Sequence, residues 1–71
     1  MEKERGTVKW FDEVKNYGFI TPDIGKKDIF FHKNDLDMLE KTVEQGQRVE
    51  FEKGMGPKGP EAKHITTLEE G

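Results

Sequence analysis

The sequence predicts an all-β protein, a small closed or nearly closed antiparallel barrel of five strands. Three observations carry this. Short runs rich in β-branched and aromatic residues recur along the chain, separated by turn signals. Within these runs side chains alternate with period two, the pattern of a strand with one buried face. Only one stretch has helical spacing, and in 71 residues several short strands hide their edges best by closing into a ring.

Residues 6–12 form the first strand. Strict alternation there pairs Val8 with Trp10 and Lys9 with Phe11. Val8 is then buried while Trp10 is exposed only if a bulge or strong twist intervenes, and such a distortion is expected. Residues 12–16 are polar and too short for a helix, so they make a hairpin loop. Residues 16–21 form the second strand, with Tyr17 and Phe19 on one face and Gly18 and Ile20 on the other. Gly18 suits a place where another strand or a sharp bend approaches closely. Pro22-Asp23-Ile24-Gly25 signals a turn.

The third strand spans 28–32, with Phe30 and His32 facing one way and Ile29 and Phe31 the other. Residues 34–45 are the helical candidate: Asn34 could cap, Leu36, Leu39 and Val43 share a face, and Gly46 could terminate. Two turns at most fit, or a single 3-10 turn near 34–36 followed by loop. Residues 47–53 alternate as a fourth strand with Val49 and Phe51 inward. Residues 54–60, with three glycines and two prolines, read as a loop. Residues 61–66 make a short fifth strand around Ile65, and 67–71 a frayed acidic tail.

Length limits the chain to one small domain, 1–71, with a modest core. There is no cysteine, so neither a disulfide nor a Cys-based zinc site is available. The N-terminus is charged with no apolar run behind it, so no signal peptide or membrane span is expected and the cytoplasm is the expected compartment. The charge is uneven. Residues 1–33 carry seven basic and six acidic side chains, and 34–71 carry five and nine. A net charge of −3 is unusual for a polyanion binder, so stacking must supply much of any affinity for nucleic acid.

Four of the seven aromatic residues fall within ten positions, Trp10 to Phe19. Ile20, Ile29, Phe31, Val49, Phe51 and Ile65 already supply a core. Tyr17, Phe19, Phe30 and His32 are therefore expected outside, on adjacent strands. Every nucleobase has a π face, so such a platform accepts unpaired bases of many sequences. Lys9, Lys15 and Lys58 could neutralise phosphates along the track. The two histidines lie far apart and have no cysteine partner, a poor metal set. His32 reads as a stacking or hydrogen-bonding ring and His64 as an exposed strand residue. The many carboxylates read as a solvated face. No nucleophile–base order, phosphate loop or helical histidine pair suggests catalysis, so no catalytic residue, metal or cofactor is expected.

Lys9-Trp10-Phe11 with Lys15-Asn16-Tyr17-Gly18-Phe19-Ile20 resembles the first ribonucleoprotein-type motif of the cold-shock domain family, and Asp28-Ile29-Phe30-Phe31-His32 its second. Gly46-Gln47-Arg48-Val49-Glu50-Phe51 and Gly59-Pro60-Glu61-Ala62 resemble the family's fourth strand and the approach to its fifth. The resemblance covers about residues 6–66. It implies a barrel of the oligonucleotide-binding type that binds single-stranded RNA or DNA and acts as an RNA chaperone, often in the cold-shock response. It places Lys9, Trp10, Phe11, Lys15, Tyr17, Phe19, Asp28, Phe30, His32 and Lys58 on the binding surface. Asn16-Tyr17 stands where bacterial members often have Gly-Phe, and Tyr17 keeps the ring. Lys33 stands where many members have another ring, and residues 37–42 contain no aromatic. The platform is therefore expected to be smaller, with Lys33 exchanging a stacking contact for a charge. The expected partner is single-stranded nucleic acid bound by a monomer. The rival reading is a protein-interaction barrel whose aromatic groove takes a proline-rich peptide.

Overall fold

A computed structural model describes residues 3–25 and 27–68. Five strands run in order: β1 (Lys3–Asp12), β2 (Tyr17–Pro22), β3 (Ile29–His32), β4 (Arg48–Gly56) and β5 (Gly59–Thr67), with a 3-10 turn at Lys33–Asp35. They form a closed barrel in the order β1-β2-β3-β5-β4. The β1–β2, β2–β3, β4–β5 and β1–β4 ladders are antiparallel. The seam that closes the ring, Phe30 against Glu61, is parallel, a detail that the expected antiparallel pattern omits. A parallel bridge from Leu36 to Ile65 extends it. Among the described residues no helix is long and apolar enough to cross a membrane.

The barrel is filled by Val8, Ile20, Ile29, Phe31, Leu36, Val43, Val49, Phe51, Ala62 and Ile65. All six core residues expected from alternation are among them. The distortion expected in β1 is present. The ladder to β2 pairs Val8 with Ile20 but Trp10 with Phe19, so Lys9 is the extra residue. This bulge turns Val8 inward, at 1% exposure, while Trp10 stays half-exposed. Gly18 sits opposite Phe11, where an added Cβ would lie 2.3 Å from the carbonyl oxygen of Trp10. Only glycine lets the two strands approach there.

β5 carries a second irregularity, which was not expected. Glu50 pairs with Thr66 and Glu52 with Lys63, so Phe51 faces two residues, and His64 takes a φ of 50°. Ala62 and Ile65 are three apart and would fall on opposite faces of a regular strand; the bulge lets both be buried. His64 is exposed, as its sequence position suggests.

The remaining differences concern boundaries. The expected 54–60 loop is mostly strand. β4 continues to Gly56, only Pro57 and Lys58 form the turn, and Gly56 pairs with Gly59. Thr67, expected in a frayed tail, ends β5, and the N–H of Leu68 donates to Arg48 O at 3.0 Å. Residues 69–71 of that tail lie outside the described residues. The helical candidate reduces to the 3-10 turn. Leu36 takes an extended backbone (φ −77°, ψ 120°), and the N–H of Asp37 donates to Ile65 O, so the chain joins the sheet instead of coiling. Leu36 and Val43 are buried anchors, but Leu39, expected on the same face, is 102% exposed.

Candidate nucleic-acid interface

The β1 bulge and the regular β2–β3 ribbon place five rings side by side. Cross-strand pairing sets Trp10 opposite Phe19, Phe19 opposite Phe30, and Tyr17 opposite His32. Ring centroids lie 5.3 Å apart for Trp10–Tyr17, 5.4 Å for Trp10–Phe19, 5.7 Å for Tyr17–Phe30 and 5.9 Å for Phe19–Phe30. These are ordinary aromatic contact distances. All five residues are half-exposed, so the cluster is a surface and not a core. Phe11 is not brought into it. Its ring stacks on Phe31 at 5.6 Å and packs against the core.

Cations fringe the rings. The Lys58 ammonium, at the tip of the β4–β5 hairpin, lies 5.8 Å from the Tyr17 centroid and 5.3 Å from that of Phe30, within cation–π range. Lys15 stands on the β1–β2 turn. That turn is held by Asp12, whose Oδ1 accepts from the N–H groups of Val14 and Lys15 at 2.9 and 3.1 Å. Lys9 donates to Asp28 at 2.7 Å, and Asp28 also accepts from the Thr21 hydroxyl at 2.9 Å. The Lys9 hydrogen bond, followed by that of Thr21, holds the Asp28 carboxyl below its ordinary range. Lys33 opens the 3-10 turn, half-buried, with its N–H donating to Asn16 O at 2.8 Å.

A cleft of about 460 Å³ descends beside the rings, walled by Lys15, Tyr17, Phe30, His32, Asn34, Pro57 and Lys58. Asp35, Glu61 and Lys63 also line it. These carboxylates correct the expectation of a solvated acidic face, because Asp35 and Glu61 are both buried. The Lys63 ammonium lies 3.0 Å from Glu61 and 3.3 Å from Asp35. One ammonium thus stands between two buried carboxyls. The hydrogen bond to Asp35, then burial, raises the Glu61 carboxyl above its usual range. Chiefly through Glu61, the same contacts raise the Lys63 ammonium.

The cluster also fixes a platform ring. Asp35 Oδ2 accepts the backbone N–H of His32 at 2.9 Å, and His32 Nδ1 accepts the N–H of Asn34 at 3.1 Å. An accepting Nδ1 leaves the neutral imidazole's hydrogen on Nε2, available to an outside acceptor. The cap of the 3-10 turn is His32, not Asn34 as expected, and its spacing to Asp35 is a capping arrangement that could have pointed to Asp35. Nothing local marked Glu61. Its neighbour across the seam is Phe30, far away in the chain. Among the described residues no group of three or more histidine, cysteine or acidic side chains converges as a metal site would require.

A closed five-stranded barrel with a half-exposed ring ribbon and fringing lysines defines a small nucleic-acid-binding barrel of the oligonucleotide-binding type. The family model described as the 'Cold-shock' DNA-binding domain matches residues 4–68, and the chain belongs to that family. It is 49% identical over 69 residues to Cold shock-like protein CspE of Escherichia coli K12, covering 96% of this chain and 100% of the relative. It is 50% identical over 66 residues to Cold shock-like protein CspA of Bordetella pertussis, covering 92% and 98%. The solved structure of Drosophila Unr CSD456 shares the fold with a TM-score of 0.82 at 22% identity, over 96% of this chain and 27% of that one.

Proposed function

We propose that this protein binds single-stranded RNA or DNA without catalysing a reaction. Bases stack on Trp10, Tyr17, Phe19, Phe30 and His32. Lys9, Lys15, Lys33 and Lys58 lie along the phosphates, Asp28 orients Lys9, and Phe11 supports the ribbon from beneath. The observation that carries the reading is the continuous ring ribbon, left half-exposed in a protein with few large apolar side chains to spare. Each stacked base contributes about 1–3 kcal/mol. Binding of this kind captures strands as they open, so it melts weak secondary structure passively, as an RNA chaperone does. The reading places the protein in the cytoplasm as a monomer.

Trp10 lies inside the ribbon and reports on it directly. A short oligothymidine should quench its fluorescence in a saturable way, and a proline-rich peptide should not. The reverse result would replace nucleic acid by peptide as the ligand. A labelled weak RNA hairpin should open on addition of the protein without ATP.

A further inference from the structure

The ring ribbon does not end at Phe19 and Phe30. Both also line a second groove of about 490 Å³, between the β2–β3 connection and the β4–β5 hairpin. Its walls carry Lys27, Lys53 and Lys58, with Ile24 standing 86% exposed at the rim. Asp28 is the one carboxylate among the described lining residues, and it is already engaged by Lys9 at 2.7 Å and Thr21 at 2.9 Å. Lys27 and Lys53 are exposed and have no ion-pair partner among the described residues. In a chain of net charge −3, a groove lined by three lysines and one neutralised acid is a local positive field. Lys53 sits on β4 opposite Ala62, two residues past the buried Phe51, and is exposed although alternation puts it on the same strand face. Nothing in the barrel itself requires a cation there.

We infer that this groove is a further nucleotide subsite, in which Lys27 and Lys53 take the phosphates of a strand that has already crossed the rings. The inference rests on the reading of the ring ribbon as a base platform. A phosphodiester needs no bidentate fork, and lysine serves it as a point charge. Ile24 offers an apolar contact to a sugar. Lys58 borders both the cleft and this groove, so it joins the two ends of one track.

The test uses Trp10 quenching with two oligothymidines, one of about four nucleotides and one about twice as long, across a salt series. Single-strand affinity falls with salt at a log–log slope of about −0.7 per neutralised phosphate. The longer probe should therefore show a slope steeper by about 1.4. Replacing both lysines (Lys27→Gln with Lys53→Gln) should return the longer probe's slope to that of the shorter one. Between 50 and 200 mM salt this removes about a sevenfold difference. The short probe's affinity and the thermal midpoint should not change. Equal slopes for the two probes in the native protein, or equal losses on both in the variant, would overturn the subsite while leaving the ring platform in place. No quenching by either probe overturns the platform itself, and the subsite with it.

Discussion

The two faces of the β2–β3 ribbon are built from the same kinds of residue and do opposite work. Inward, Ile20, Ile29 and Phe31 are buried in the core. Outward, Tyr17, Phe19, Phe30 and His32 stand half-exposed. Phe30 and Phe31 are chain neighbours with identical side chains, yet one belongs to the surface and the other is fully buried. Pleat direction, not residue chemistry, assigns the role. Hydrophobicity by itself would therefore misplace four of this protein's seven aromatic residues.

The largest effect that could break the comparison is on the inner face. Phe31→Ala should lose about 3–5 kcal/mol of stability in denaturant unfolding, since a large buried ring leaves a cavity and strips Phe11 of its stacking partner. A domain this small has little to spare. A loss within the range of surface substitutions would mean the faces are assigned the wrong way round. The outer counterpart, Phe30→Ala, should leave unfolding nearly unchanged and weaken oligothymidine binding by about 1–3 kcal/mol. If Phe30→Ala destabilises as much as Phe31→Ala, the two faces are not separable.

A smaller effect sharpens the boundary between the faces, where Glu61 pairs beside Phe30 across the parallel seam. The Glu61 carboxyl is raised from its ordinary 4.5, so the folded state holds its proton to higher pH than the unfolded chain does. Its linkage then makes stability fall as pH rises from about 4.5 through the raised value. Glu61→Gln mimics the protonated form and should remove that fall. Thermal midpoints of the two proteins should converge near pH 4 and separate, with the variant higher, toward neutrality. Parallel curves would show that Glu61 does not titrate in this window. Asp23 and Asp28 act with the opposite sign. Their carboxyls are lowered from 3.8, so their contribution is present above that pH and lost below it.

Smallest is the exchange at the ribbon's end. Lys33→Phe should raise affinity at high salt and flatten the salt slope by about 0.7, one phosphate on a single strand. Parallel salt lines for the two proteins would remove Lys33 from the phosphate track.

Legibility in the sequence followed locality. The β2–β3 ribbon was readable because both strands keep strict alternation and are joined by a short connection. The β1 bulge was readable as a conflict, since Val8 and Trp10 could not share a face and both be where chemistry wants them. The β5 bulge was not, because Lys63-His64-Ile65 presents no such contradiction until Ala62 is known to be buried. The β4–β5 hairpin was hidden by its glycines and prolines. These suit a loop by composition, yet an outer hairpin with few neighbours accommodates them. The rings of the candidate site were legible for the same local reason. The Asp35–Glu61–Lys63 cluster was not, because it is assembled across the parallel seam from distant segments.

That seam also sets a folding order. Three ladders join strands that follow one another in the chain, whereas the β1–β4 ladder and the Phe30–Glu61 seam bring together distant segments. Loop-closure entropy makes such distant contacts costly before their rewards arrive, so closing the ring through them belongs late in folding. Phe30 is on the seam and on the proposed binding face together, so an open chain lacks the complete ring ribbon. Under the proposed binding mode, nucleic acid becomes a folding ligand. Present at about a hundred times its dissociation constant, it would add about 2.7 kcal/mol to the closed barrel, a large share of the stability a domain of this size commands.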